Sequence, residues 1–297
     1  MELRHLRYFL AIAKAGSISS AAETLHIAQP PLSRQLKDLE AELGFELFER
    51  NKKRKVQLTA QGRFFVKKAQ LILNTLDDSV IETREYHEQV EQSLAIGTTI
   101  YSSNIMFEQI EHFKQHYTDV RFNIWESDSI SIIKLLTERE LDIAYINETI
   151  QNNSVNIEHI HTDYCVCIIP QNIAQHLTAE IISLEALAKL PLVLLMSDTE
   201  SGLHKQILNT FHNHELTANI LCECHDSSML MQILAKGFGV TILPYSSITP
   251  SILHNYTIKE IEGNPWTTTT NLVWRKDSYL PKMIQTFLQQ HYYDKFK

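Results

Sequence analysis

The sequence contains no hydrophobic run approaching the roughly 18 residues from which a membrane-spanning helix is built. Its first residues, MELRHLRYF, lack the continuous apolar core and the small-residue cleavage site of a secretory signal peptide. Walker A, G-x-G-x-x-G, G-x-S-x-G and H-E-x-x-H motifs, which mark many enzyme sites, are also missing. We therefore expect a cytoplasmic protein that is not an enzyme. We also expect it to have no membrane partner and no cofactor. An enzyme built on the later part of the chain is the less favoured alternative.

Cysteine is scarce, and its four copies come as two pairs, Cys165 with Cys167 and Cys222 with Cys224. Each pair has i, i+2 spacing within an apparent strand, YCVCII or ILCECH, so both members share one face. Neighbours at that spacing are poorly placed for a disulfide. Because small residues are ordinary in strands, we expect no metal site. A regulator that senses a metal or thiol oxidation through these four cysteines remains an alternative hypothesis.

The charge is distributed unevenly along the chain. Residues 1–68 hold 13 basic and 7 acidic side chains, a net charge of +6, whereas the remainder holds 14 basic and 28 acidic ones, a net charge of −14. A basic head on an acidic body suits a protein that presents only one end to nucleic acid.

Two short amphipathic helices are predicted near the N-terminus, where Ser17 is a natural N-cap and Gly44 a stop signal. Pro30 and Pro31 fit the first turn of the second helix, where the missing proline N–H costs nothing. Two short helices separated by about four residues are typical of a helix-turn-helix. Their apolar stripes are Ile18, Ala21, Ala22 and Leu25 in the first helix, and Leu32, Leu36, Leu39 and Leu43 in the second.

The face opposite the second stripe carries side chains that can read or hold DNA. Gln and Arg make paired hydrogen bonds with purine edges in the major groove, and Ser and Lys serve bases or phosphates. Residues 45–48 and 56–58 are predicted as two short strands around the basic turn ERNKKRK, the arrangement of a wing along the DNA backbone. The predicted DNA-binding residues are Gln29, Pro30, Pro31, Ser33, Arg34, Lys37, Arg50, Lys52, Lys53 and Arg54.

The stretch MELRHLRYFLAIAKAGSISSAAETLHIAQPPLSRQLKDLEAELGFELFER resembles the N-terminal domain of the LysR-type transcriptional regulators. MELRHLRYF and IAQPPLSRQ resemble most closely the branch that responds to benzoate, muconate and related intermediates of aromatic catabolism, and ELDIAYI and AKGFGVTILP are looser matches. The resemblance implies a regulator with one head on each half-site of an inverted-repeat DNA operator. It further implies a dimer of dimers, a contact with RNA polymerase, and a small-molecule effector of unknown identity.

Residues 59–91 read as one long helix after the N-terminal domain, with Thr59 as its cap. Phe65, Ala69, Ile72 and Leu76 are spaced 4, 3 and 4 residues apart, which is the a/d seam of a coiled coil. Since no partner helix follows, a second copy of the chain is the expected partner, and packing within the chain is the alternative. The LysR resemblance implies that this helix is the dimerisation linker.

From residue 93 onward, short apolar runs alternate with helical segments, a βαβ pattern that implies an α/β fold with a parallel sheet. The resemblance implies two α/β lobes of the type II periplasmic-binding-protein fold. The expected domains are a winged helix-turn-helix at 1–58, the linker at 59–91 and an effector-binding domain at 92–297. Its lobe I covers about 92–162 and 267–297, and its lobe II about 163–266.

Ligands in open α/β sheets bind beyond the carboxyl ends of the strands, where loops and helix N-termini converge. Four such loops are rich in hydroxyl groups, although Ser, Thr and Asp are also ordinary helix N-caps. None of these loops carries Arg or Lys and several carry Asp, which argues against a muconate-like dicarboxylate and leaves neutral or cationic effectors open. The predicted effector residues are Thr98, Thr99, Ile100, Tyr101, Ser102, Ser103, Ser129, Ser197, Asp198, Asp226 and Ser227.

Overall fold

The computed structural model describes residues 1–49, 56–87, 93–147, 152–196, 202–276 and 278–294. The chain divides into two compact units, Met1–Val90 and Glu91–Lys297. Among the described residues, no helix is both long and apolar enough to cross a membrane.

The first unit is helical, and its start and stop signals lie where the sequence predicts them. The Ser17 hydroxyl accepts a hydrogen bond from the Ser20 N–H (3.2 Å), and Gly44 ends a helix with φ +78°. Pro30 and Pro31 occupy the first turn of the third helix. The helices are α1 Leu3–Ala15, α2 Ile18–Thr24, α3 Gln29–Leu43 and α4 Ala60–His87.

The core of this unit consists of the predicted apolar faces of α2 and α3, and α1 packs against them. Leu32 and Leu39 are fully buried, and Phe9 of α1 packs against Phe48 with ring centroids 5.6 Å apart. In place of the two predicted strands of the wing, one antiparallel bridge joins Phe48 to Leu58. Residues 50–55, which include the basic turn, lie outside the described part of the chain.

Helix α4 begins after Thr59, whose hydroxyl accepts a hydrogen bond from the Gly62 N–H (2.9 Å). The prediction that Phe65 and Ala69 belong to an uncovered seam is wrong. Ala69 is fully buried in the core of its own head, and the Phe65 ring lies 5.5 Å from that of Phe9. The sequence pattern did not reveal this because α1 is distant along the chain and covers the first turns of α4.

The rest of the predicted seam is available to a partner. Ile72 is 39% exposed and Leu76 is half-buried, so their place at a dimer interface stays a prediction. The exposed apolar side chains of α4 are Phe64, Leu71, Ile72, Val80 and Ile81.

The second unit alternates strands and helices. Its strands are β1 Ser93–Thr98, β2 Arg121–Glu126, β3 Ile143–Ile146, β4 Val155–Pro170, β5 Ile181–Ile182, β6 Leu192–Leu195, β7 Ile220–Cys224, β8 Thr241–Pro244, β9 Tyr256–Ile261 and β10 Thr267–Arg275. Its helices are α5 Ser103–Lys114, α6 Ser129–Thr137, α7 Gln171–Ala174, α8 Leu184–Lys189, α9 Leu203–Asn213, α10 Ser227–Ala235, α11 Pro250–Asn255 and α12 Lys282–Asp294. Turns Ile100–Ser102 and Tyr245–Ser247 are 3-10 helical.

The sheets are mixed, so the prediction of parallel pairing is confirmed for β1 to β3 and for β6 and β7 but is wrong for β4 and β10. Strand β1 pairs in parallel with β2 and β3, but β10 returns antiparallel between β3 and β4. The long strand β4 serves both lobes: its first part pairs with β10 in lobe I, and residues from Cys165 onward pair with β8 and β9 in lobe II. Strands β6 and β7 are parallel, and a bridge from Leu192 to Val240 joins them to β8. The unit is therefore a pair of α/β lobes that share β4 as a continuous strand.

Candidate functional site

Helix α3 presents its polar side to solvent. Gln29, Arg34 and Lys37 are exposed, and Ser33 is half-buried. The Ser19 hydroxyl of α2 donates a hydrogen bond to the side-chain oxygen of Gln29 (3.2 Å), which ties the start of α3 to the preceding helix. Because the leucines of the opposite side are buried, α3 is held with this polar face outward.

The structure thus brings the predicted α3 residues together on one accessible surface. Pro30 and Pro31 are also exposed, in the first turn of this helix. The predicted wing contacts lie outside the described residues, so their role stays a prediction; these are Arg50, Lys52, Lys53 and Arg54.

A cleft in the second unit opens between lobe I and lobe II. The space between its walls, including the open mouth, is about 570 Å³. Apolar side chains form most of its wall. The lining residues are Ile100, Tyr101, Ser103, Asn104, Glu126, Leu195, Ser227, Leu230, Met231, Leu243, Ser247 and Ile252.

Four of the predicted effector residues line this cleft: Ile100, Tyr101, Ser103 and Ser227. Ser129 is buried at the start of α6, and Asp226 is exposed at the N-cap of α10, so neither is part of the lining. The predicted residues Ser197 and Asp198 lie outside the described part of the chain.

Three of the predicted effector residues, Thr98, Thr99 and Ser102, do not line the cleft. Their hydroxyl groups make hydrogen bonds within the protein. The Thr98 hydroxyl donates to the Thr99 carbonyl (3.0 Å). The Thr99 hydroxyl donates to the side-chain oxygen of Asn147 and lies 3.2 Å from the hydroxyl of Ser102. The Ser102 hydroxyl lies 3.3 Å from that of Thr270 on β10. This buried network joins the ends of β1 and β3 to β10.

Tyr101 connects the two lobes physically. It belongs to lobe I by its position after β1, yet its ring packs against three apolar clusters of lobe II, which include Cys167, Leu230 and Ile168. Burial raises the pKa of the Tyr101 hydroxyl far above its ordinary value. Nearby, the Asn104 side-chain amide donates to the Ser246 carbonyl across the lobes (2.7 Å). Both contacts lie at the edge of the cleft.

The charges around the cleft are negative. Glu126 ends β2 in lobe I, and its pKa is raised by burial and by the charge of Asp226, which belongs to lobe II. The Asp226 carboxylate accepts a hydrogen bond from the Met229 N–H (2.9 Å), which lowers its own pKa. No Lys or Arg is among the described residues that line the cleft.

Eight of the lining residues were not predicted from the sequence, and two signals could have found five of them. Glu126, Leu195 and Leu243 lie at or next to the carboxyl ends of strands. Leu230 and Met231 follow Ser227 at i+3 and i+4, the same helix face. The other missed residues are Asn104, Ser247 and Ile252.

Both units match models of one protein family. The model described as "LysR substrate binding domain" matches residues 87–291, and the "Bacterial regulatory helix-turn-helix protein, lysR family" model matches residues 3–63. The chain belongs to the LysR family. This LysR chain is a DNA-binding transcriptional regulator with a helix-turn-helix head and an effector-binding domain.

Relatives extend this LysR assignment along the whole chain. The transcriptional regulator BsdA of Bacillus subtilis (strain 168) is 41% identical over 97% of this chain and 99% of BsdA. CatR of Pseudomonas putida is 30% identical over 83% of each chain. The crystal structure of full-length BenM aligns with a TM-score of 0.55 and 26% identity, over 100% of this chain and 99% of BenM.

The cysteines of this LysR regulator form pairs as predicted but offer no built metal site. The sulfur atoms of Cys222 and Cys224 lie 3.7 Å apart on one face of β7. The described residues contain no group of three or more His, Cys, Asp or Glu side chains that could hold a metal ion. Burial raises the pKa of the Cys165 thiol to about 12 and that of Cys224 to about 11, which keeps both protonated near neutral pH. The metal- or redox-sensing alternative is not favoured.

Proposed function

We propose that this LysR regulator reads an inverted-repeat operator through the exposed polar face of α3. The observation that carries this proposal is the outward placement of Gln29, Arg34 and Lys37 on a helix whose opposite face is locked into the core. A helix of this kind fits the major groove, where arginine and glutamine pair with purine edges. Each half-site of the operator would take one head.

The assembly that follows from an inverted repeat is at least a dimer, and we propose a dimer of dimers. The support is the set of exposed apolar side chains on α4, which includes Ile72 and Val80. We further propose that the bound regulator contacts RNA polymerase, as the LysR resemblance implies, and that it often activates transcription while repressing its own divergent gene.

The interlobe cleft is the proposed effector site. An effector that contacts Glu126 at the end of β2 and Leu230 of α10 touches both lobes, so its binding favours one relative position of the lobes over others. That differential affinity is the source of regulation, and it is reciprocal: effector and operator must each change the affinity for the other.

The resemblance of the first residues to regulators of aromatic catabolism, together with the similarity to CatR, supports a place in that branch. The acidic side chains at the cleft favour an effector other than a dicarboxylate. Membership in the aromatic-catabolism branch and the chemical class of the effector are therefore two separate proposals.

A titration of DNA from upstream of the gene that encodes this chain tests the reading helix. Arg34→Ala is expected to cost about 1–3 kcal/mol at the cognate site and to relax base discrimination, because a paired hydrogen bond to a purine is lost. Arg7→Ala, an exposed arginine of α1, is the matched control and should leave base discrimination intact. Equal loss of discrimination in both variants, or in neither, would contradict the assignment of α3 as the reader.

A further inference from the structure

The first residue of the reading helix is held by a hydroxyl group from the helix before it. Gln29 begins α3, and its side-chain oxygen accepts a hydrogen bond from the Ser19 hydroxyl of α2 (3.2 Å). The side chains of Arg34 and Lys37, which share the exposed face of α3, make no hydrogen bond with another described residue. Of these three side chains, that of Gln29 is therefore the one that the protein orients before DNA binds.

The backbone on both sides of this bond is fixed, so the hydroxyl and the amide keep their relative position. Ala21 and Ala22 of α2 are buried in the same core as Leu32 of α3. In the turn between the two helices, the Ile27 N–H donates to the Ala22 carbonyl (3.0 Å), and His26 adopts a left-handed conformation with φ +54°. The contact between the two side chains is thus a property of the folded head itself.

This bond determines which end of the Gln29 amide is free. A glutamine side chain has one oxygen, which accepts hydrogen bonds, and one NH2 group, which donates them. Oε1 is engaged by Ser19, whereas Nε2 has no acceptor among the described residues. Because Gln29 is exposed, its NH2 group is the part of the amide that can meet a base edge.

A donor in the major groove selects bases that offer an acceptor. Guanine O6 and thymine O4 are acceptors, whereas adenine N6 and cytosine N4 carry donors, and N7 is an acceptor in both purines. An unrestrained glutamine can accept and donate at the same time, which is the paired contact it makes with adenine. With Oε1 held by Ser19, the Gln29 amide meets the groove through its donors, so guanine O6 or thymine O4 is favoured over an amino group.

We infer that Ser19 is a positioning residue for operator recognition and that it acts through Gln29. It holds the amide with the NH2 group toward DNA, so the base pair beneath Gln29 presents guanine O6 or thymine O4. The inference rests on the proposed role of α3 as the reading helix, and it adds a residue outside α3 that determines specificity.

Base preference at single positions, measured with the full-length protein, tests the inference. The probe is the upstream DNA fragment that the wild type binds, together with its single base-pair substitutions across one half-site. Gln29→Ala identifies the base pair beneath Gln29 as the position where preference is lost. At that position, Ser19→Ala is expected to lower the preference by about three- to tenfold, the size of one hydrogen bond, and to leave the other positions unchanged.

Control variants separate positioning from folding. Ser19→Thr keeps the hydroxyl and should restore most of the preference. Thr24→Ala is the matched control, because Thr24 is an exposed hydroxyl residue of α2 that donates to the Ser20 carbonyl (3.0 Å) rather than to Gln29, and it should keep the wild-type preference. In a Gln29→Ala background, Ser19→Ala should have no further effect on base preference, because its partner is already gone.

Gln29→Glu tests which end of the amide reads DNA. It keeps an oxygen for Ser19 but removes the donors, so it should lose the preference as completely as Gln29→Ala. Retention of the preference by Gln29→Glu would overturn the inference, because the oxygen would then be the reading atom. An equal loss of affinity for every sequence in Ser19→Ala would also overturn it, since that result indicates a phosphate contact of Ser19. So would an unchanged preference in Ser19→Ala.

The same measurements distinguish failure of the inference from failure of the proposed function. If Gln29→Ala changes the preference at no position while Arg34→Ala does, the inference is wrong and α3 remains the reading helix. If neither variant changes base preference at any position, the proposed role of α3 is itself wrong.

Discussion

Gly62 lies in the first turn of α4. Replacing it with alanine has two opposing effects on the stability of the head, a gain in helix propensity and a steric clash. Alanine favours a helix over glycine by about 1 kcal/mol, so propensity alone predicts that Gly62→Ala stabilises the head. However, a Cβ atom at this position would lie 2.0 Å from the Leu47 carbonyl oxygen and 3.1 Å from the Leu58 side chain. The Leu47 carbonyl is part of the backbone, so it cannot move aside as the end of a flexible side chain can.

The magnitude follows from what must move. The Leu47 carbonyl accepts a hydrogen bond from the Thr59 N–H (3.0 Å), and this bond holds the segment after α3 against the start of α4. Overpacking of this kind typically costs about 1–3 kcal/mol, and the loss of one such hydrogen bond costs about 1 kcal/mol more. After the gain in propensity, we expect a net destabilisation of about 1–3 kcal/mol.

Urea unfolding followed by circular dichroism measures this change. Gly44→Ala is the control, since Gly44 has φ +78° and open space around it, so its replacement reports left-handed strain alone, about 1–2 kcal/mol. Because Leu47 and Leu58 flank the predicted wing, Gly62→Ala should also weaken binding to DNA of any sequence. An unfolding midpoint equal to or above that of the wild type would refute the steric reasoning.

Two further predictions concern α4 and the thiols. Ile72→Glu should yield smaller species in sedimentation and lose operator binding, whereas Gln70→Glu on the same exposed helix should not; an unchanged oligomer in Ile72→Glu would remove α4 from the interface. Under native conditions at pH 8, iodoacetamide should modify Cys222 well before Cys165 or Cys167, because burial raises the pKa of those two thiols. Equal labelling by mass spectrometry would contradict their burial.

Local signals predicted the head well because each acts within a few residues. The Ser17 cap, the proline turn and the Gly44 stop depend on backbone groups one turn away, and all three are found in the structure. The packing of Ala69 depends on α1, which is more than fifty residues earlier, and no periodicity within α4 distinguishes a surface covered by α1 from one covered by a second chain.

The prediction of parallel pairing was wrong for β4 and β10 for a similar reason. A βαβ rhythm predicts parallel neighbours only where strands follow one another in space, as β1, β2 and β3 do. Strand β10 inserts between β3 and β4 from far along the chain, and β4 extends through both lobes. Such strand order arises from long-range pairing, which the apolar runs of single strands do not encode.

The hydroxyl-rich loops show what composition can and cannot indicate about the cleft. Ser and Thr after a strand end can bind a ligand, cap a helix or join strands, and the choice depends on which groups lie opposite. Thr99 and Ser102 lie opposite Asn147 and Thr270, so their hydrogen bonds are internal. Tyr101, from the same loop, instead extends into lobe II. One short segment therefore ties the ends of β1 and β3 to β10 and also joins the lobes, which supports the proposal that an effector bound in the cleft acts on the relative position of the lobes.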